Sequence, residues 1–297
     1  MFKKLNILII GGNRFFGKKL AQILSKQGHR VTLLNRGNMH DNLGDAVKRI
    51  VCDRLDLPKM KQLTSGLQWD VVFDQVCFDY KTAKQSCEIF KQKVKKYIFI
   101  SSQSVYDLAS NLIEEDFVAK KHQIKSYKSK DQNYAEAKRQ AEYAFEKYAE
   151  FQTVMVRFPI VLGNDDYTQR FQWHIRAVQT KKTIYFLNSR AKMSMISSDL
   201  AAEALNQLIF IDHQGPLNIA SSKALALSDF MQLLAKELNV ERPKLENTDN
   251  IVDKDVSPYA IEKDWYMNCE KMLGLGINLP EVKQWLPHML EKSIKLS

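Results

Sequence analysis

The chain has 297 residues, 45% of them hydrophobic, and a formal charge of +10. That supplies enough apolar material for a full core, and the length points to one or two domains. Four cysteines without paired spacing, at 52, 77, 87 and 269, argue against a disulfide framework or a zinc site and for a reducing compartment, and no apolar run approaches the roughly 20 residues that span a bilayer.

The opening segment, MFKKLNILIIGG, has two lysines and a short apolar run but lacks the small-residue cleavage site of a secretory leader. It reads as a first strand, and the expectation is a cytoplasmic protein with no membrane partner. Strand-like runs follow at 6–10, 30–35, 49–52, 70–73, 97–101 and 153–158, rich in Val, Ile, Phe and Leu with little alternation. Strands buried on both faces have that character. Helix-like stretches lie between them at 16–27, 82–92 and 132–149. This strand–helix order predicts an α/β fold, a doubly wound parallel sheet. The stretch 164–192 is polar and aromatic with weak periodicity and has no assigned element. After it come a helix at 199–209, a short strand at 217–220, an amphipathic helix at 227–238 and a helical tail at 281–294. No internal repeat or low-complexity linker is visible.

Gly11, Gly12 and Gly17 follow the first strand and open the first helix. In a dinucleotide site Gly11 permits the tight turn, Gly17 lets helix and strand approach, and the helix's N-terminal amides face a pyrophosphate. This sets the expected organisation: a dinucleotide-binding domain over 1–163, with 193–220 returning to it, and a smaller, interleaved C-terminal substrate lobe over 164–192 and 221–297. The second strand ends not in the carboxylate of an NAD binder but in Asn35, followed by Arg36. Arg14 stands where the middle glycine of such a loop is usual. Guanidinium groups bind phosphate through charge-assisted, often bidentate hydrogen bonds. Arg14 and Arg36 together are therefore expected to clamp a 2′-phosphate, making the cofactor NADP, with NAD as the alternative. Taken singly, Arg14 reads rather as a surface arginine at the start of a helix and Arg36 as a solvated turn residue. Asp53 has two readings: an acceptor for the adenine amino group, or a cap for the helix after Pro58.

The fifth strand ends in serines, in "YIFISSQSVY", and "YAEAK" follows. Tyr134 and Lys138 are four apart and share one helix face. An ammonium beside a phenol favours the phenolate and equips it for proton transfer at moderate pH, while a serine hydroxyl holds the substrate oxygen.

These stretches, with "GGNRFFG", "CDRLD", "WDVVFD", "VRFPIVLG", "SDLAAEAL" and "GPLNIASS", resemble an extended short-chain dehydrogenase/reductase of the NAD-dependent epimerase/dehydratase family over nearly the whole chain. The resemblance implies a Rossmann fold and an oxidoreductase or epimerase. Ser102 would be the catalytic serine, Tyr134 the acid/base, and Lys138 its partner, which also binds the nicotinamide ribose. It implies further cofactor contacts from Phe15, Phe16, Arg54, Ser101 and Phe158, and substrate contacts from Ser104 and from Lys192, at a position where nucleotide-sugar enzymes of the family often carry a phosphate-binding arginine. The expected partners are a small anionic substrate, such as a nucleotide sugar, and a second copy of the chain, paired through the helices near 82–92 and 132–149. Three departures stand out: "DQVC" (residues 74–77) after the fourth strand, Gln132-Asn133 where a Ser-Pro-like pair usually precedes the tyrosine motif, and the arginine-bearing loop GG-x-R-F-x-G. That loop is similar to a branch that includes chloroplast RNA-binding proteins, so the alternative is a catalytically quiet dinucleotide binder with an RNA-binding or redox-sensing role.

The remaining candidates have blander expectations. His40, His122 and His174 read as solvent or structural groups, and no metal site is expected. Glu114, Glu115 and Asp116 read as a solvated loop or substrate contacts. The lysines within 119–130 read as solvated surface, or as an attractor of an anion or RNA. Trp173, Trp265 and Tyr266 read as core or as pocket lining.

Overall fold

The computed structural model describes residues 3–127, 129, 132–249 and 255–294. The chain opens with β1 (Asn6–Ile10), α1 (Phe15–Lys26), β2 (Arg30–Asn35), β3 (Lys48–Val51), α2 (Leu57–Leu63) and β4 (Trp69–Asp74). It continues through α3 (Tyr80–Phe90), β5 (Val94–Ser102), α4 (Tyr134–Tyr148) and β6 (Gln152–Phe158). Then come β7 (Ile160–Leu162), α5 (Arg170–Gln179), β8 (Ile184–Phe186), β9 (Lys192–Met193) and β10 (Met195–Ser197). After α6 (Ser198–Leu208) and β11 (Gly215–Asn218), the chain closes with β12 (Leu225–Ala226), α7 (Leu227–Glu237), β13 (Leu245–Asn247), α8 (Glu270–Gly274) and α9 (Val282–Ile294). Two units result. The first comprises 1–106, 114–158 and 199–219; the second comprises 107–113, 159–198 and 220–297. The chain thus crosses at 158 and returns at 199, against the expected 163 and 193, and 107–113 belongs to the second unit.

In the first unit, seven strands form one parallel sheet in the order β11-β6-β5-β4-β1-β2-β3, with β11 and β3 at its edges. The strand order reverses between β1 and β4, and a crevice opens at the C-terminal ends of strands flanking such a switch point. Ile7, Leu8, Ile9 and Ile10 are fully buried, as strands covered on both faces require. α1 buries Gly17, Leu20, Ala21 and Leu24, one stripe at helical spacing. α4 buries Ala137, Lys138, Ala141, Ala144 and Phe145. The Phe99 and Phe145 rings meet at a tilt with centres 4.8 Å apart, joining β5 to α4. Asp79 and Thr82 close a capping box at the start of α3.

The second unit contains what the sequence leaves unassigned in 164–192: helix α5 and strand β8. The α5 stripe consists of Phe171, His174, Ala177 and Val178, all buried. A histidine in the stripe blurs the apolar period that would mark the helix. His174 is fully buried, bonded through Nδ1 to the Arg170 carbonyl and through Nε2 to Ser257 Oγ, each at 2.7 Å, and stacked 4.3 Å from Tyr259. Burial takes its pKa down to about 4, so it stays neutral and structural. Short pairs β10-β7, β12-β9 and β13-β8 complete this unit.

Candidate active site

The turn after β1 is built for a backbone that only glycine adopts easily. Gly11 and Gly12 have φ of 96° and 75°. A Cβ on Gly12 would lie 2.6 Å from Ile9 Cγ2. The Gly11 amide donates to the Leu34 carbonyl at 2.8 Å, tying the turn to the end of β2. Phe15, the first residue of α1, has φ 53°, a conformation rare outside glycine. Its ring lies 5.4 Å from that of Phe16, which meets buried Phe158 edge-on at 5.7 Å. The first turn of α1 carries no acidic side chain, leaving its N-terminus suited to an anion.

Arg14 and Arg36 are both exposed, one at the N-cap of α1 and the other just beyond β2. Asn35 is half-buried, and its Oδ1 accepts from the Gly37 amide at 2.9 Å, shaping the turn that carries Arg36. Asp53 accepts from the Leu55 amide through Oδ1. The cap of α2 is Asp56, which accepts from the Lys59 amide, so the capping reading of Asp53 is corrected.

The space beside Gly17 is taken by a side chain from just past β4. A Cβ there would overlap the Gln75 carboxamide, whose Oε1 sits against this position. Gln75 lies just past β4, and its amide donates to the Ile10 carbonyl at 3.1 Å. Its Nε2 is buried with no hydrogen-bond partner.

Lys138 is buried beneath α4. Its ammonium donates to the Cys77 and Ile100 carbonyls, each at 2.7 Å, and lies 4.8 Å from the ring centres of Phe78 and Phe99. Burial pulls its pKa down to about 8, opposed by neighbouring negative groups. The Tyr134 ring centre is 5.8 Å from the Lys138 Nζ and 6.4 Å from the Phe78 ring. Tyr134 itself is 40% exposed. Ser102 lies two residues beyond Ile100; its hydroxyl donates to Ser104 Oγ and accepts from the Ser104 amide, both at 3.1 Å.

Two residues expected at the cofactor are committed elsewhere. Arg54 Nη1 holds both oxygens of fully buried Asp74, at 2.6 and 2.7 Å, and Nη2 donates to the Thr82 carbonyl and Ser86 Oγ. Tyr97 also donates to Asp74, at 2.6 Å. Ser101 is buried and donates to Glu142 Oε1 at 2.5 Å. Glu142 and Arg157, both fully buried, form a second ion pair with Nη2–Oε2 at 2.6 Å and Nε–Oε1 at 3.0 Å. Arg157 Nη1 also donates to the Tyr106 hydroxyl and the Glu114 carbonyl. Glu114 is no solvated-loop residue: it is buried, and its carboxylate accepts from the Asn218 amide at 2.9 Å. Charged residues inside apolar stretches such as "TVMVRF" were the signal for this network, since a buried charge requires a partner.

His122 pairs with Glu136 at 2.8 Å and His40 is exposed. Among the described residues no group of three or more His, Cys, Asp or Glu is placed to hold a metal, and no helix is long and apolar enough to cross a membrane. Lys128 and Lys130 of the lysine cluster lie outside the described residues. Lys192 is exposed in the second unit, with its backbone carbonyl accepting from the Trp265 amide.

The model of the NAD-dependent epimerase/dehydratase family matches residues 7–220, most of the chain. The chain belongs to that family. Among curated proteins it is 28% identical over 220 residues to the chloroplast stem-loop binding protein of 41 kDa b from Arabidopsis thaliana. That match covers 68% of this chain and 54% of the relative, so the chain spans about half the relative's length. Among solved structures it is similar in fold to a dTDP-glucose 4,6-dehydratase from Bacillus anthracis in complex with NAD (TM-score 0.77, 13% identity, 98% and 97% of the two chains covered). A mutant UDP-glucuronic acid 4-epimerase from Bacillus cereus, in complex with UDP-4-deoxy-4-fluoro-glucuronic acid and NAD, matches with TM-score 0.75 and 16% identity, covering 98% and 99%. The family's cofactor fits the residues present: the glycine turn leaves no room for a Cβ, an acid-free helix start lies beside it, and a buried amide nitrogen next to it has no partner.

Proposed function

We propose that this protein is an NADP(H)-dependent oxidoreductase or epimerase acting on a nucleotide sugar or a similar small anionic polyol or carbonyl compound. The observation that supports it most is the Lys138 ammonium, buried between the Cys77 and Ile100 carbonyls and facing the ring of exposed Tyr134. A buried lysine needs a reason, and holding a phenol ready for proton transfer supplies one.

In this reading Gly11, Gly12 and the start of α1 hold the pyrophosphate, Phe15, Phe16 and Phe158 line the site, and Asp53 accepts from the adenine. Arg14 and Arg36 grip the 2′-phosphate, supported by a β2 end that presents Asn35 in place of a carboxylate. The nicotinamide, when bound, gives or takes a hydride. Ser102 turns its hydroxyl from Ser104 to the substrate oxygen, and Ser104 supports it. Tyr134 gives or accepts that oxygen's proton, and Lys138 keeps positive charge beside the phenol while contacting the nicotinamide ribose. Pairing of two copies through α3 and α4 accompanies this reading, and light scattering checks it. The test of the chemistry is Tyr134→Phe: nicotinamide absorbance change with a nucleotide-sugar or carbonyl substrate is abolished, while calorimetric NADP affinity is kept. Undiminished turnover refutes the assignment.

A second reading is supported by the 28% relative, whose name describes stem-loop binding, and by the charge of +10. In it the fold binds a dinucleotide without turnover and contacts RNA. Salt-sensitive RNA binding stronger than that of any small molecule, with no turnover on any substrate, favours it.

A further inference from the structure

The side chain of Gln75 lies in the switch-point crevice between β1 and β4. Its Cβ is 3.6 Å from the position a Cβ would take on Gly11, and its carboxamide reaches the first turn of α1 at Gly17. It therefore reaches from beside Gly11, at the end of β1, to Gly17 in the first turn of the helix. The Gln75 backbone is fixed by its hydrogen bond to the Ile10 carbonyl, and the preceding Asp74 is locked by Arg54 and Tyr97. Within this setting the carboxamide nitrogen is buried and has no acceptor. Such a donor costs free energy unless something bonds to it, and folded proteins leave few of them.

We propose that Gln75 is a binding residue of the cofactor site, whose side-chain amide donates to the pyrophosphate of the bound dinucleotide. This inference rests on the dinucleotide reading above and adds to it a side-chain donor beside the backbone amides of the turn. It also accounts for Gly17. That residue lacks a Cβ because the carboxamide occupies the space where one would stand.

The test is calorimetry with NADP, NAD, ADP-ribose and adenosine 2′-monophosphate on wild type and Gln75→Ala, with circular dichroism as the control for folding. ADP-ribose has the pyrophosphate without the nicotinamide; the monophosphate has neither. NADP, NAD and ADP-ribose are expected to weaken by a common factor of about ten or more, as loss of a hydrogen bond to a charged group implies, with the monophosphate unchanged. Gln75→Glu replaces the amide nitrogen with an anionic oxygen at nearly the same shape, and the same three ligands should weaken further. If Gln75→Ala fails to fold, Gln75→Glu alone decides. Unchanged affinities in the folded variants, or a loss confined to the two nicotinamide-bearing ligands, overturn the inference. Wild type that binds no dinucleotide at all refutes the reading of the site itself, a separate result.

Discussion

Replacing Asp74 with Asn should cost this protein a large part of its folding stability. Asp74 is fully buried and accepts from Arg54 at 2.6 and 2.7 Å, from Tyr97 at 2.6 Å, and from the Val76 amide at 3.2 Å. The Arg54 side chain is only 9% exposed. An amide in place of the carboxylate keeps the shape but leaves the guanidinium buried without a counter-charge, with only the Thr82 carbonyl and Ser86 hydroxyl as further acceptors. Breaking a buried pair in this way costs about 3–5 kcal/mol, against a total stability of roughly 5–15 kcal/mol. Urea unfolding followed by circular dichroism measures it, and the melting midpoint should fall by about 10 °C. Arg54→Met should cost a similar amount. The double variant Arg54→Met with Asp74→Leu should cost far less than the sum, because both charges leave together. A cost under about 1 kcal/mol for Asp74→Asn, or additive single costs, would show that the pair is not the desolvated unit described.

Arg36→Ala should weaken NADP about tenfold by calorimetry while barely affecting NAD; equal affinities for both, unmoved by the substitution, would remove the clamp. Ser101→Ala should lower stability by about 1–2 kcal/mol without altering dinucleotide affinity, since its hydroxyl serves Glu142. Lys138 loses its proton at about 8 in the fold and near 10.5 when unfolded. Across that window the unfolded chain binds more protons, so wild-type stability should rise with pH relative to Lys138→Met, by up to roughly 3 kcal/mol. Taking the difference between the two proteins cancels the tyrosines and cysteines they share, and parallel stability profiles would contradict the desolvated ammonium.

The sheet was legible because strands buried on both faces are continuous apolar runs. β1 and β2 fall at the expected residues, and the others differ by a few positions at their ends. The Tyr134–Lys138 pair was legible from helical spacing alone. What sequence could not supply was the direction in which each side chain points. Ser101 and Ser102 are adjacent on β5, and the pleat sends them to opposite faces, one into the Glu142–Arg157 pair and the other to Ser104. Arg54 sits in a motif that points to a cofactor, yet its partner Asp74 is twenty residues further along and meets it only because β4 ends beneath it. "DQVC" stood out as a departure in the sequence, but the contact of Gln75 with Gly17 across the crevice did not, for the same reason. Helix α5 was missed because its buried stripe includes His174.

The two borders of the seven-stranded sheet are unlike its interior. On β3 the first two residues, Lys48 and Arg49, are exposed, and on β11 the second residue is Pro216, which has no amide hydrogen to offer. A charged fringe on one side and a missing donor on the other discourage a stray strand from extending the ladder. Despite a strongly apolar sheet, concentrated solutions of this protein should resist fibrous self-association, and Pro216→Val is the substitution that would weaken that protection.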